Sequence, residues 1–116
     1  MLFIEYPKCS TCQKAKKFLV SHGVDFTDRH IVEETPTANE LKEWMERSGL
    51  PIKRFFNTSG NVYKEMNLKE KVDQLTMEEA CELLSLNGML IKRPLLITED
   101  AILVGFKETE YEMIIK

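Results

Sequence analysis

The 116-residue sequence has no apolar run near the ~18 residues that a membrane-spanning helix needs. Its first residues, MLFIEYPKCS, have no cationic segment ahead of a long apolar stretch, which a secretory signal would show. The chain also has little excess charge of either sign. Its formal net charge of -3 gives no general attraction to nucleic acid or to an anionic membrane. We therefore expect a cytoplasmic monomer with no direct nucleic-acid or membrane partner.

Cysteine is scarce, with three residues at Cys9, Cys12 and Cys81. They are too few and too unevenly spaced for a secreted disulfide framework, and the cytosol keeps structural thiols reduced. Any disulfide in this chain is therefore expected to have a functional role. The length of the chain suits one domain over residues 1–116.

The N-terminal part of the chain is predicted to form a strand, a helix and a second strand. The apolar residues Leu2, Phe3, Ile4 and Tyr6 predict a buried strand that Pro7 ends. Residues 10–22 have apolar side chains at helical spacing, and Gly23 ends the helix. Residues 24–32 alternate apolar with polar residues, which favours a second strand joined to the first by a crossover.

Two capping boxes predict where later helices begin. In a capping box, the hydroxyl of the first residue accepts from a backbone N–H three residues on, and the acidic side chain there bonds back. Thr37 with Glu40 and Thr76 with Glu79 have this spacing. Between them, residues 51–71 predict two short helical turns separated by a polar loop, NTSGN.

The C-terminal part is predicted to form two strands, at residues 95–98 and 102–106, and then a closing helix. A tight turn at Glu99 and Asp100 joins the strands. The full order is βαβ, a helical insertion at about residues 36–88, and ββα. The sequence thus predicts an α/β fold of the thioredoxin-like type, with the insertion between its two halves.

The two N-terminal cysteines lie where the first strand gives way to the first helix. Cys9 is expected at the helix N-cap, where unpaired backbone N–H groups and the helix dipole stabilise a thiolate, and nearby Lys8 adds positive charge. The pKa of the Cys9 thiol should therefore be low, which makes it the nucleophile. Cys12 lies one turn further on and can attack a mixed disulfide at Cys9, so we assign it as the resolving thiol.

Two other interpretations of these cysteines are available. Both residues could be half-buried helix positions, since free cysteine often behaves as a small apolar residue. A zinc site would need about four ligands, and the further candidates are Cys81, His22 and His30 with scattered carboxylates. Cys81 is explained by packing of a helix face, His22 by a favourable position at a helix end, and His30 by a position on a strand surface. We therefore expect no metal site.

Several segments resemble the arsenate reductase/Spx family, whose members have a thioredoxin fold with a helical insertion. The segments are PKCSTCQKAKKFL, FFNTSGNVYKEMNL, GMLIKRPLLI and ILVGF, in that order. The resemblance implies that Cys9 is the redox centre and that Cys12 completes a C-x-x-C switch. It also implies that Arg93 precedes a cis proline, Pro94, and lies beside the reactive sulfur. Without the resemblance, Arg93 would be interpreted as a solvated charge at a strand edge.

The chain differs from the family at two positions that bear on arsenate. Many relatives have an arginine where this chain has Ser59, and the arsenate reductases have another near the position of Gly105. Asn57, Thr58 and Ser59 can still donate hydrogen bonds to an anion, but more weakly than a guanidinium. Arsenate is therefore a doubtful substrate.

Two functions are consistent with these residues. The first is a small thiol-disulfide oxidoreductase that needs no cofactor and is returned to the dithiol by glutathione, another small thiol, thioredoxin or glutaredoxin. The alternative is an Spx-like regulator that binds RNA polymerase and uses oxidation of Cys9 and Cys12 as its switch. Spx-like regulators continue into a basic tail, whereas this sequence ends at Lys116, so we favour the oxidoreductase. A scaffold without turnover is a third option.

Overall fold

In the computed structural model, which describes residues 1–115, the chain forms two units, residues 1–30 with 93–115 and residues 31–92. The first unit contains the sheet, and the second is helical. No helix among the described residues is long and apolar enough to cross a membrane. The single domain over residues 1–116 stays a prediction.

The first unit is a four-stranded sheet in the order β2-β1-β3-β4. Strand β1 pairs in parallel with β2 and antiparallel with β3, and β3 pairs antiparallel with β4. Helix α1 follows β1, and helix α5 closes the chain, so the predicted thioredoxin-like α/β order is confirmed. The bounds are β1 Leu2–Glu5, α1 Ser10–Ser21, β2 Thr27–His30, β3 Leu95–Ile97, β4 Ile102–Val104 and α5 Glu108–Ile115.

The second strand is shorter and more polar than the alternating pattern predicts. It covers Thr27–His30, with the sequence TDRH, and it lies at an edge of the sheet with β1 as its neighbour. Val24 and Phe26 precede the strand and pack against the core of the first unit. The pattern was misleading because an edge strand needs no apolar face of its own, whereas the segment that leads into it can supply core contacts.

The core of the first unit lies between α1, α5 and the sheet. Helix α1 contributes Ala15, Phe18 and Leu19 at the predicted spacing, and it ends at a C-cap, His22. Gly23 then adopts a φ of 68°, a left-handed conformation that favours glycine. The other fully enclosed members of the core are Phe3, Leu96 and Tyr111.

The hairpin of β3 and β4 turns at the predicted position. The N–H of Thr98 donates to the Ala101 carbonyl at 2.9 Å, and the Thr98 hydroxyl accepts from the Ala101 N–H at 2.8 Å. This threonine therefore closes the loop that contains Glu99 and Asp100. Both strands are shorter than predicted. Strand β3 ends at Ile97 because Thr98 bonds within the turn, and β4 ends at Val104 because Gly105 adopts a positive φ of 82°.

The second unit has three α-helices and four short 3₁₀ segments among its described residues. Both predicted capping boxes are present, with the Glu40 N–H donating to Thr37 Oγ1 at 3.1 Å and the Glu79 N–H to Thr76 Oγ1 at 3.1 Å. The helices are α2 Ala38–Ser48, α3 Asn61–Glu65 and α4 Met77–Ser85, and the 3₁₀ segments are Ile52–Phe55, Leu68–Glu70, Val72–Gln74 and Gly88–Leu90.

Helices α2 and α4 pack against each other through apolar side chains. Leu41, Trp44 and Met45 of α2 are buried, as are Cys81 and Leu84 of α4. The Cys81 sulfur lies 3.6 Å from the Met45 sulfur, and burial raises the pKa of its thiol. The predicted packing role of Cys81 is confirmed, and this buried thiol is a poor nucleophile.

Candidate active site

The turn between β1 and α1 holds Cys9 at the start of the helix. The Cys9 N–H donates to the Tyr6 carbonyl at 2.9 Å, and the Cys9 carbonyl accepts the first helical bond from the Gln13 N–H at 3.0 Å. The Gln13 side chain also donates to the Pro7 carbonyl at 2.9 Å, which ties the turn to the helix. Cys9 is the N-cap residue, with φ -83° and ψ 123°. Its position therefore follows from backbone bonds on both sides.

Several groups near Cys9 change the proton affinity of its thiol. Partial burial opposes ionisation, but the backbone N–H of Cys12, the Cys12 thiol and the Arg93 guanidinium outweigh it, so the pKa of Cys9 is lowered. The neutral Cys9 thiol makes no capping hydrogen bond. The Cys12 N–H instead stabilises the thiolate form of Cys9. A thiolate at this helix start is therefore favoured by an N–H donor and by a nearby positive charge.

The environment of Cys12 favours the neutral thiol, whereas that of Cys9 favours the thiolate. Its side chain is 0% exposed, and burial is the main reason that the pKa of its thiol is raised to about 12. Negative charge on Cys9 raises this pKa further. The Tyr6 N–H and the positive charge of Arg93 act in the other direction without overcoming burial. Both cysteines are reduced in this structure.

Arg93 and Pro94 come just before β3, within the same unit as Cys9 and Cys12. The bond between them is cis, and the Arg93 guanidinium helps to lower the pKa of the Cys9 thiol. The Arg93 guanidinium carbon also lies 5.1 Å from the centroid of the Tyr6 ring. The Pro94 carbonyl accepts from the Gly105 N–H at 2.8 Å, and Gly105 has a φ of 82°. An arginine at position 105 would be strained in that conformation.

A charged cluster that sequence reasoning missed lies at the end of β1. The Lys16 ammonium is 3.2 Å from a carboxylate oxygen of Glu5 and 2.6 Å from one of Asp28. Burial of Glu5, which is 3% exposed, and its hydrogen bond to Asp28 raise its pKa to about 7, although Lys16 opposes this. Burial works against ionisation of Asp28 too, but Glu5 and Lys16 lower its pKa overall. The sequence signal for this cluster is the charged Glu5 at the end of the otherwise apolar run LFIE.

Two tyrosines also belong to the surroundings of the cysteine pair and were not predicted. Tyr6 supplies the N–H that faces Cys12 and the ring beneath Arg93. Tyr111 of α5 is fully buried, and its hydroxyl has no hydrogen-bond partner among the described residues. Burial raises the pKa of Tyr111, and negative charge on Cys12 adds to this shift. Sequence spacing gives no sign that α5 reaches Cys12.

The remaining predicted site residues are Lys8, Asn57 and Ser59. Lys8 is exposed, and the groups that shift the pKa of Cys9 are Cys12 and Arg93. Asn57 and Ser59 belong to the second unit, where the Ser59 hydroxyl is 3.4 Å from Asn57 Oδ1. Their contribution to anion binding stays a prediction.

The two histidines have local partners. His22 Nδ1 lies 2.8 Å from the Phe18 carbonyl oxygen, and the His30 ring meets the Tyr6 ring edge to face at 5.8 Å. Within residues 1–115, no group of three or more His, Cys, Asp or Glu side chains is arranged to hold a metal ion.

The chain matches a known family over nearly all of its length. The model of the ArsC family matches residues 4–114. The chain belongs to the ArsC family. This assignment agrees with the thioredoxin-like order of strands and helices and with a cysteine at the first strand-to-helix turn.

Curated relatives within this family include regulators. YusI of Bacillus subtilis (strain 168), an uncharacterised protein, is 51% identical over 97% of this chain and 95% of its own length. The regulatory protein MgsR of the same organism is 32% identical over 95% of this chain and 86% of its own. The global transcriptional regulator Spx 1 of Oceanobacillus iheyensis is 30% identical over 90% of this chain and 78% of its own.

Solved structures agree with the fold throughout. An ArsC-family-related protein from Bacteroides fragilis has a TM-score of 0.94 and 55% identity, covering 99% of this chain and 96% of that one. A protein described as a possible arsenate reductase, from Streptococcus mutans UA159, has a TM-score of 0.91 and 44% identity, covering 97% and 96%. The proteins that this chain resembles thus include some named as regulators and one named as a possible reductase.

Proposed function

We propose that this ArsC-family protein is a thiol-disulfide oxidoreductase, with Cys9 as the nucleophile and Cys12 as the resolving thiol. The observation that carries the proposal is the placement of Cys9 at the N-cap of α1, with Cys12 buried one turn further along the helix. In this arrangement the pKa of Cys9 is lowered and that of Cys12 is raised to about 12. Cys9 is therefore the thiol that ionises first as the pH rises, and the thiolate is the nucleophile.

The reaction has two exchange steps. The Cys9 thiolate attacks one sulfur of a substrate disulfide, forms a mixed disulfide and releases the other half of the substrate as a thiolate. Cys12 then loses its proton and attacks the Cys9 sulfur, which releases the second half and forms the Cys9–Cys12 disulfide. The substrate gains two electrons, and the cysteine pair loses two. Glutathione, another small thiol, thioredoxin or glutaredoxin then reduces the pair.

The mixed disulfide makes the second step easier. While Cys9 is a thiolate, its charge and its hydrogen bond raise the pKa of Cys12. Once Cys9 is bonded to the substrate, both effects disappear, while Arg93 still favours a thiolate at Cys12. The pKa of Cys12 therefore falls when it is needed as a nucleophile. The interaction between the two thiols therefore favours attack by Cys9 first and by Cys12 second.

Trapping of the intermediate tests this function. Cys12→Ser should accumulate a mixed disulfide at Cys9 when mixed with bis(2-hydroxyethyl) disulfide, because no resolving thiol remains, and mass spectrometry measures the added mass. Cys9→Ser should form no such adduct, and Cys81→Ser, which removes a buried thiol of the second unit, should react like the wild type. Equal adduct formation by the Cys9→Ser and Cys12→Ser variants would refute the assigned roles.

A second function, an Spx-like regulator that binds RNA polymerase, is supported by the relatives that are named transcriptional regulators. The two functions differ in what the protein captures from a lysate. The regulator should retain RNA polymerase whether or not Cys12 is replaced by serine. The oxidoreductase should instead retain thiol proteins through the Cys12→Ser variant, and a reductant should release them.

A further inference from the structure

The second unit has a cleft whose cations have no part in the proposed redox chemistry. The cleft has a volume of about 460 Å³ and is lined by Lys53, Thr58, Tyr63, Lys64, Asn67 and Lys69. We call these residues the lysine cleft. Its size lies in the range of roughly 300–1,000 Å³ that holds small-molecule ligands.

A second depression continues the lysine cleft. It has a volume of about 340 Å³ and shares Lys53 and Thr58 with the first. Arg54 and Lys92 add two further cations, and Pro51 and Phe56 add apolar surface. The lysine cleft is thus the cationic end of a longer groove, and the second depression is a mixed end with both charged and apolar side chains. The two meet at Lys53.

The charge in this region is of one sign. Five cations line the two depressions, and no acidic residue among the described ones does. Among residues 1–115, these five cations form no ion pair, although the chain as a whole has a net charge of -3. The nearby carboxylate of Glu70 accepts from Asn67 Nδ2 at 3.0 Å instead. Uncompensated lysines around a concave surface favour an anion.

A buried hydroxyl supplies a second and independent observation. Tyr63 is 3% exposed, and its hydroxyl has no hydrogen-bond partner among the described residues. The Phe56 ring packs edge to face against the Tyr63 ring, with 6.3 Å between centroids, and helps to hold it in place. A buried O–H without an acceptor costs free energy, and an anionic oxygen is the acceptor that bonds it most strongly.

We propose that the lysine cleft binds a small organic polyanion with two or more phosphate groups, about the size of a nucleoside diphosphate. Lys53, Lys64 and Lys69 would bind the phosphates as point charges, and Tyr63 and Thr58 would donate to phosphate oxygens. The mixed depression would hold the rest of the ligand, beside Arg54 and Lys92. Every residue of this site belongs to the second unit, and none takes part in thiol exchange.

Titration of the isotope-labelled full chain with ADP, followed by NMR, tests the proposal. Amide shifts should saturate with a Kd on the order of 0.1 mM at low ionic strength and should be confined to residues 51–71 and the surroundings of Lys92. Lys64→Ala and Lys69→Ala should each weaken binding roughly tenfold, because each removes one charge-assisted contact. Tyr63→Phe should weaken it roughly threefold to tenfold.

Lys17→Ala is the matched control. Lys17 is an exposed lysine of α1 in the first unit, so its removal changes the net charge equally but should leave the affinity for ADP unchanged. The spectrum of each variant shows whether it is folded, and the lysine variants keep the test decisive if Tyr63→Phe does not fold. All three cleft variants should exchange with small disulfides like the wild type, which separates this proposal from the redox function.

Three outcomes would overturn the proposal. One is the absence of saturable shifts up to about 10 mM ADP. Another is an affinity that Lys64→Ala and Lys69→Ala leave unchanged. A third is binding of a single-stranded oligonucleotide more than roughly tenfold tighter than ADP, at the same lysines, since that would assign the surface to a macromolecule.

Discussion

The Arg93 guanidinium carbon lies 5.1 Å from the centroid of the Tyr6 ring. Tyr6 directly follows β1, and Arg93 comes just before β3, so the antiparallel pairing of the two strands brings these residues together. A cation over an aromatic face is attracted by the ring and loses side-chain freedom there. The contact therefore helps to hold a positive charge near Cys9, where it favours the thiolate.

Removal of this charge should raise the pKa of Cys9. We expect Arg93→Ala to move the thiolate titration to higher pH, because a charge and a hydrogen bond that stabilise the thiolate are lost. The rate of exchange with a small disulfide near neutral pH should fall roughly tenfold as the thiolate fraction decreases. Thiolate absorbance against pH measures the midpoint, in a background where Cys12 and Cys81 are serine.

Lys8→Ala is the control for Arg93→Ala. It removes an equal charge from an exposed side chain beside Cys9, and its effect should be smaller. A Cys9 midpoint at or above that of an ordinary thiol, about 8.5, with Arg93 intact would contradict the nucleophile assignment.

Mild oxidation should produce a single intramolecular disulfide between Cys9 and Cys12. The two residues lie one helical turn apart at the start of α1, and each thiol affects the pKa of the other. Cys81 is instead buried beside Met45 in the second unit. Peptide mapping by mass spectrometry should find Cys81 reduced in the oxidised protein. Recovery of a Cys81 disulfide as the main product would show that the pairing is wrong.

The stability of the protein should depend on pH through Glu5. Its pKa is raised from 4.5 to about 7 in the folded chain, so between these values the folded state binds more protons than the unfolded state. The free energy of unfolding should therefore decrease as the pH rises through this window, by an amount on the order of 3 kcal/mol for one carboxyl. The lowered pKa of Asp28 changes the free energy of unfolding only at pH values below this window.

Glu5→Gln isolates the contribution of Glu5, because the amide keeps the size of the side chain and can bond to both Lys16 and Asp28. Urea unfolding of the variant at several pH values should show a flatter profile than the wild type between about pH 5 and 7. Glu112→Gln, which changes an exposed carboxylate of α5, should leave the profile unchanged. A wild-type free energy that rises through this window would disprove the prediction.

Arsenate should be a poor substrate. The chain has Arg93, but the resemblance to the arsenate reductase/Spx family implies two arginines that it lacks, one where it has Ser59 and one near the position of Gly105. Each lost charge-assisted contact costs about 1.5–3 kcal/mol. Two losses amount to roughly 10²–10⁵-fold in transition-state binding. Purified protein with glutathione, thioredoxin or glutaredoxin should therefore exchange with small disulfides but reduce little arsenate, as measured by arsenite formation.

Ser59→Arg should increase whatever arsenate turnover exists, because the family resemblance implies an arginine at this position. Ser59→Gln, a long side chain without charge, should not increase it. Rapid arsenate reduction by the wild type that Arg93→Ala does not reduce would overturn both the argument and the role given to Arg93.

Local signals in the sequence predicted most of the fold. The capping boxes at Thr37 and Thr76 involve residues three positions apart, so chain-local bonds decide them and the sequence displays them directly. The second strand was predicted too long, because pairing with β1, and not its own apolar pattern, defines Thr27–His30. Strand ends depend on a partner that sequence pattern does not identify.

By itself, the sequence determined the order of elements and the position of Cys9 and Cys12 at a helix start, since helix formation over the following residues depends on local spacing. The tertiary structure alone decided what surrounds these thiols. Sheet pairing brings Arg93 to Tyr6, and packing of α5 places Tyr111 close enough for Cys12 to affect its pKa. Burial and neighbouring charges set pKa values, and both arise from contacts between residues far apart in the chain.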